Sequence, residues 1–313
     1  MKFQHLLRRI RGAGPDPGDL PVLWLGEPGC DDPRRVGGKA AALSRLAARW
    51  PVPDGFCLPV EVHRRLRSEE LRPPDLRHGL RPAYRRLADS WWRRPPVAVR
   101  SSAPGEDSAD ASFAGQHDTV LNAVGIGAVA DAVLACCQSV DADRARAYRA
   151  ARDRAGAGDR ADGRTEDPAR MAVLVQRLVD ADVSAVVFSA DPVTGSRDEV
   201  LINASWGLGE AVVAGTVTPD TYRLSRQPVE VIDREIADKD VMVAPARRGT
   251  REVAVPQARR TQPALDLEQC TELARLAIEL EAETGRPVDL ECAYHDGELY
   301  LLQCRPITSL PEG

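Results

Sequence analysis

Short Val-rich runs recur along this chain without the regular strand–helix alternation that a doubly wound parallel sheet requires. VLWL (22–25), FCLP (56–59) and VAVR (97–100) read as strands separated by helical segments. After residue 170 three strand-length apolar runs follow in close succession: MAVLVQRLV (171–179), VSAVVFSA (183–190) and DEVLINAS (198–205). Further strands are expected around 221–225 and 229–236, and a final hairpin at 288–294 and 299–305 around Asp296-Gly297. Helices are expected from Lys39 to about Arg49 after the Gly37–Gly38 pair, in two Arg-rich stretches near 60–70 and 81–92, and over 126–150. One more runs from Asp266 to Thr284, with Leu267, Cys270, Leu273, Leu276, Ala277 and Leu280 on one face and Gly285 and Pro287 as its stop. There is no internal repeat. The pattern predicts an α+β fold, and 313 residues suit two subdomains of about 150 each.

The charge balance narrows the partners. Lys and Arg number 42 against 47 Asp and Glu, a net charge of −5, which argues against a nucleic-acid partner. No apolar run reaches membrane-spanning length, and the basic N-terminus MKFQHLLRRIRGAGPDPGDL has no apolar core of signal-peptide length. A cytoplasmic protein with no membrane partner is expected. The seven cysteines (Cys30, Cys57, Cys136, Cys137, Cys270, Cys292, Cys304) include no CxxC, so reduced, buried thiols are expected rather than a zinc site or disulfide framework.

Four segments could carry chemistry. In AVRSSAPGEDSADASFAGQHDT (98–119), Arg100 stands at the mouth of a strand before a long polar loop, 101–118. Ser101, Ser102, Gly105, Gly115 and Thr119 could present N–H groups and hydroxyls to a polyphosphate, with Arg100 adding a forked charge-assisted contact. Lys39 follows a double glycine at a helix start, where an anion is favoured, although the Walker A spacing is absent. In VDLECAYHDGELYLLQCRPIT (288–308), Asp289 and Glu291 share one strand face, and Gln303 and Arg305 share one on the partner strand. A Glu carboxylate beside a Gln carbonyl offers hard oxygens to Mg²⁺. A two-residue turn would place Glu291 opposite Leu302, so pairing with Gln303 requires a longer turn or a bulge. The fourth segment joins SADPVTG (189–195) to WGLGEAVVAGTVTPDTY (206–222), where Asp191, Glu210 and Asp220 lie beside turn signals and GLGE could open a helix. Turn acids of this kind are usually caps or solvated. His5, His63, His78, His117 and His295 are isolated and form no triad-like order.

Taken together, VGGKAAAL (36–43), the 98–119 segment, MAVLVQRLVDADVSAVVFSADPVTG (171–195), GLGEAVVAGTVTPDTY (207–222) and ECAYHDGELYLLQCRPIT (291–308) resemble the ATP-binding domain of phosphoenolpyruvate synthases, pyruvate phosphate dikinases and rifampin phosphotransferases. The order and spacing match from about residue 22 to 308. The resemblance implies an ATP-grasp-type fold: an N-terminal extension (1–21), subdomain 1 (22–175, with the phosphate-covering loop 101–118 and a mobile connection 151–170) and subdomain 2 (176–313), with ATP between them. It implies that Lys39 and Arg100 contact the phosphates. Gly115, Gln116 and Thr119 would belong to the covering loop, and Gln176, Leu178 and Val179 to a hinge that reads adenine. Glu210 would lie near the ribose, with Asp220 in the VTPD signature. Glu291 and Gln303 would bind Mg²⁺, and Arg305 would clamp the phosphates. Family members usually carry an aromatic near Cys292 and a small residue at Cys304, neighbours of the site rather than parts of it.

The activity so implied is ATP-dependent phosphotransfer of the dikinase type. Family members continue into a swivelling domain whose His accepts the (pyro)phosphoryl group; here a phosphohistidine-domain protein acting in trans is the expected partner, with pyruvate or another small molecule as final acceptor. Two alternatives stay open on sequence: a stand-alone ATP-grasp kinase or ligase acting directly on a small molecule, and a nucleotide-binding subunit without turnover.

Overall fold

The computed structural model of the chain describes residues 19–88, 94–104, 119–155, 170–307 and 310, with side chains described outside 141–155. The N-terminal extension up to residue 18 lies outside this description.

Two antiparallel sheets organise the molecule, so helices and strands are mixed as expected, and among the described residues no parallel doubly wound sheet forms. The first contains β1 (Leu23–Trp24), β2 (Gly55–Leu58), β3 (Pro96–Ser102), β4 (Thr119–Val124) and β5 (Ala172–Arg177), in the order β1-β2-β5-β3-β4. The second contains β6 (Val183–Phe188), β7 (Glu199–Trp206), β8 (Asp220–Arg226), β9 (Val229–Glu235), β12 (Val288–His295) and β13 (Glu298–Pro306), in the order β13-β12-β6-β7-β8-β9. Between β9 and β12 a separate hairpin forms from β10 (Val241–Pro245) and β11 (Thr250–Ala254).

Strand β5 shows why its sequence is apolar without alternation. It lies inside the first sheet, and both its faces are covered. Ala172 and Leu174 join one buried cluster, while Val173 and Val175 join another on the opposite face. The first cluster also contains Val36, Ala40 and Leu43 of helix α1 (Pro33–Leu46) and Val187, Ile202 and Leu290 of the second sheet, so α1 is buried between the two sheets. The second cluster is roofed by α2 (Val60–Arg67), α3 (Pro73–Arg86) and α4 (Ile126–Ala155), through Val62, Leu76, Leu80, Tyr84, Val129 and Val133.

Of the remaining helices, α5 (Glu210–Val213) and α6 (Gln257–Arg260) are single turns, and α7 (Leu267–Thr284) carries the amphipathic stripe. The stripe from Cys270 to Leu280 and the stop at Gly285 form as expected, but Leu267, expected on the same face, is 57% exposed because it stands in the first turn beyond the edge of the sheet contact; a capping box not anticipated from the sequence starts the helix. Asp266 accepts from Gln269 N–H (2.8 Å), Gln269 Oε1 accepts from Asp266 N–H (3.0 Å), and Gly285 ends the helix in the left-handed region at φ 70°.

Three expectations require correction. Helix α3 starts at Pro73, not near residue 81: Pro73 and Pro74 occupy its first turn, where a missing N–H costs nothing, and Leu76, Leu80, Ala83, Tyr84 and Leu87 form its buried face. Helix α1 starts at Pro33, capped by Asp32, and Gly37 (φ 78°) breaks it before Lys39. Helix α4 continues to Ala155, into the stretch read as a mobile connection; residues 156–169 lie outside the described chain. Strand β4 and the β10–β11 hairpin were not anticipated, being short and only partly buried. Among the described residues no helix is long and apolar enough to cross a membrane.

Candidate nucleotide site

The closing hairpin supplies the polar floor of a cleft between the sheets. Asp296 and Gly297 make a two-residue turn with φ of 50° and 79°, closing the pair His295–Glu298. The register stays regular as far as Cys292–Leu301. A bulge at Leu302 then shifts it by one residue, so that Glu291 faces Gln303 and Asp289 faces Arg305. The short turn and the Glu291–Gln303 pairing therefore coexist. Directly paired residues share a face, which brings two carboxylates, an amide and a guanidinium together.

From the first sheet, Arg100 of β3 reaches this floor. Its Nη1 lies 3.5 Å from Glu291 Oε2 and donates to Leu302 O at 3.4 Å, the carbonyl of the bulge residue. Arg100 Nε and Asp289 Oδ1 are buried and have no hydrogen-bond partner among the described residues. Burial, with Glu291 beside it, pushes the Asp289 carboxyl up to about 6 although Arg305 pulls it down. Lys39 is buried, with Nζ 3.3 Å from Ser101 O.

The joint between α1 and β3 explains the double glycine and corrects one expectation. At Gly37 a Cβ would fall 2.2 Å from Ser102 O, so only glycine lets the two backbones meet. Gly38 N–H donates to Ala103 O (3.1 Å) and Ala40 N–H to Ser102 Oγ (3.2 Å). These amides and the Ser102 hydroxyl therefore serve the joint rather than an anion, and Ser101 is equally buried. What the joint provides is the placement of Lys39 and Arg100 on one wall.

The cavity is about 380 Å³, and Lys39, Arg100, Thr119, Gln176, Leu178, Val179, Glu210, Glu291, Gln303 and Arg305 line it, whereas Ser101, Ser102 and Asp289 do not. Gly115 and Gln116 lie outside the described residues. Part of the lining is apolar. Leu121, Leu178, Val179 and Leu302 pack there against Ala181, Leu208 and Ala293. The segment leaving β5 is fixed by Leu178 N–H donating to Pro96 O (3.0 Å), and Gln176 Nε2 donates to Pro53 O (3.2 Å). Glu210 opens α5, and its Oε2 accepts from Thr250 Oγ1 of β11 at 3.0 Å. Leu121, Ser184 and Thr250 escaped the sequence reading. Leu121 could have been found from strand alternation across 119–124, whereas Thr250 comes from a distant hairpin and left no local signal.

The two turn acids are structural. Asp191 is buried, accepts the Val193 and Thr194 N–H groups and pairs with Arg223 at 2.9 Å. Burial alone would raise its carboxyl; Arg223 and the two amides outweigh it and hold the group at about 2. Asp220, the signature acid, does not line the cavity: it is fully buried against Lys239 at 2.6 Å. The seven cysteines are buried free thiols, and burial pushes Cys270 up to about 12, so it stays protonated at neutral pH.

A cleft with an apolar part and a cationic, oxygen-rich part, held between two antiparallel sheets, is a nucleotide-shaped site. Residues 61–313 match the family described as pyruvate phosphate dikinase, AMP/ATP-binding domain, and the chain belongs to this family. Relatives carry several names. The chain is 34% identical over 330 residues to a probable phosphoenolpyruvate synthase of Methanocaldococcus jannaschii, covering 93% of this chain and 27% of the relative. It is 36% identical over 313 residues to a rifampicin phosphotransferase of Streptomyces sviceus (88% and 34%). It is also 36% identical over 302 residues to the prodigiosin synthesizing transferase PigC of Serratia marcescens (89% and 32%). The chain thus spans about a third of the length of these curated relatives.

Proposed function

We propose that this chain binds ATP with Mg²⁺ in an ATP-grasp-type arrangement of two subdomains (22–175 and 176–313) and performs the ATP half of a dikinase-type phosphotransfer. The acceptor is a histidine on a separate swivelling domain or subunit, and the final acceptor is pyruvate-like or another small molecule. The observation that carries this reading is the bulge at Leu302, which sets Glu291 against Gln303 and Asp289 against Arg305 beneath Arg100.

Adenine enters the apolar part between Leu121, Leu178, Val179 and Leu208, Glu210 meets the ribose, and the phosphates run toward Lys39, Arg100 and Arg305. Glu291 and Gln303 would hold Mg²⁺. The orphaned Asp289 oxygen and the hard-oxygen donor set at this floor suit such an ion. When bound, the metal would neutralise phosphate charge. The protein's own part is to position and to compensate charge. Arg100 and Arg305 offer forked guanidinium donors to oxygens that gain charge as the bridging bond lengthens, and Lys39 adds a point charge from the α1–β3 joint. The histidine nitrogen attacks the β-phosphorus, the bond from that phosphorus to the α–β bridging oxygen breaks, and AMP leaves. The relatives' different names fit a common ATP half serving different acceptors.

Product analysis tests the reading. Supplied with ATP, Mg²⁺ and a His-bearing domain of a relative, the chain should release AMP and label the histidine. ADP together with a modified small molecule, formed by the chain alone, would instead establish a stand-alone kinase.

A further inference from the structure

Asn122 is an unusual residue to find in the middle of a strand. It is buried, yet its backbone sits in the left-handed region at φ 56°, a conformation uncommon for anything but glycine. Such strain persists only where the surroundings over-determine it. Here they do. Asn122 Nδ2 donates to both Ala246 O and Gly249 O at 2.7 Å, and its own carbonyl accepts from Gly249 N–H at 3.4 Å. Those acceptors form the turn of the β10–β11 hairpin, which lies more than a hundred residues further along the chain. Asn122 belongs to the first sheet, whereas the hairpin meets the second sheet at Gly207 and Val243, where Leu208 N–H donates to Val243 O at 2.8 Å. A Cβ at Gly207 would lie 2.4 Å from that same oxygen. The hairpin is thus tied to both walls of the cavity.

The hairpin's link to the site is Thr250, the first residue of β11, which does not itself line the cavity but whose hydroxyl donates to the lining residue Glu210 at Oε2, 3.0 Å away. Glu210 is exposed and begins a helix of one turn, and among the described residues Thr250 is the hydrogen-bond partner of its side chain. A free glutamate there would lose several rotamers' worth of entropy on meeting a sugar. Holding Oε2 with Thr250 removes much of that cost and leaves Oε1 available to a ligand.

We propose that the β10–β11 hairpin is a strap across the sugar end of the cleft, latched to the first sheet by Asn122, and that Thr250 is a positioning residue that makes Glu210 select a ribose hydroxyl. This rests on the proposed nucleotide site. With Oε2 already accepting from Thr250, Oε1 is the oxygen offered first to the sugar, so selectivity should fall more heavily on one of the two sugar positions.

The test is equilibrium binding, by calorimetry, of ATP, 2′-deoxy-ATP and 3′-deoxy-ATP with Mg²⁺ to the full chain. Wild type should bind ATP about tenfold more tightly than one of the two deoxy analogues, the size expected for a hydrogen bond to a charged group. Thr250→Val should bring that ratio close to one, with deoxy-nucleotide affinity retained, and Thr250→Ser should restore it. Asn122→Gly, which tolerates φ 56° but cannot latch the turn, should reduce the ratio in the same direction. Discrimination by wild type that survives both Thr250→Val and Asn122→Gly would overturn the strap while leaving the nucleotide site standing. Equal binding of all three nucleotides by wild type would overturn it too. Failure of wild type to bind ATP with Mg²⁺ at all would remove the site itself, and the strap with it.

Discussion

Replacing Lys239 by Met should destabilise the fold without touching the site. Lys239 and Asp220 have fully buried side chains 2.6 Å apart. Asp220 also accepts from Ala237 N–H (2.9 Å), Ala264 N–H (2.7 Å) and Tyr222 Oη (3.3 Å), so it gathers the chain on either side of the β10–β11 hairpin onto β8. Removing the ammonium leaves a buried carboxylate with three neutral donors. Breaking one side of a buried pair costs about 3–5 kcal/mol, and the remaining donors place this case near the lower figure, about 3 kcal/mol. At a urea dependence of about 3 kcal/mol per molar, that is a midpoint lowered by about 1 M. Urea titration followed by tryptophan fluorescence suits the measurement, because Trp206 donates to Arg259 O beside this network. A Lys239→Met midpoint within about 0.2 M of wild type would refute the reasoning.

Glu291→Ala or Arg100→Ala should lower phosphotransfer turnover at least about tenfold, about 1.4 kcal/mol of transition-state stabilisation, measured as AMP release; wild-type rates would contradict the assigned floor. Asp191 has a carboxyl depressed from 3.8 to about 2 in the fold, so its ionised form stabilises above pH of about 4 and that contribution fades as pH falls toward 2. Asp191→Asn should therefore cost about 2 kcal/mol at neutral pH, with the gap from wild type closing on acidification in chemical-denaturation midpoints taken across that range. Gly37→Ala should weaken both folding and ATP binding, since its Cβ collides with Ser102 O at the joint that places Lys39 and Arg100; unchanged calorimetric affinity in a stably folded variant would count against that joint.

Much of the site was legible because its chemistry is concentrated in short segments. Glu291, Gln303 and Arg305 lie on two strands of one hairpin, and strand alternation fixes their faces. What alternation could not decide was the register, because a two-residue turn and a bulge at Leu302 leave the same composition behind. Lys39 was found through its double glycine for a partly mistaken reason: the helix amides there bond to the protein, and the glycine is needed for a backbone contact. Asp220 and Glu210 looked alike as turn acids, yet one is buried under Lys239 and the other lines the cavity. That difference is made by residues 19 and 40 positions away, Lys239 and Thr250, beyond the reach of any local pattern. The β10–β11 hairpin escaped because its strands are only five residues long and the contacts that fix it, to Asn122 and Gly207, come from distant parts of the chain.

The extra residue at position 302 also restricts how this hairpin can change length. One amino acid inserted into the Asp296-Gly297 corner would carry every side chain beyond it to the opposite surface, unless a compensating deletion occurred downstream. Insertions and deletions should therefore appear in pairs along this ribbon, and a homologue with an unmatched one should have lost the Glu291–Gln303 pairing proposed to hold the metal.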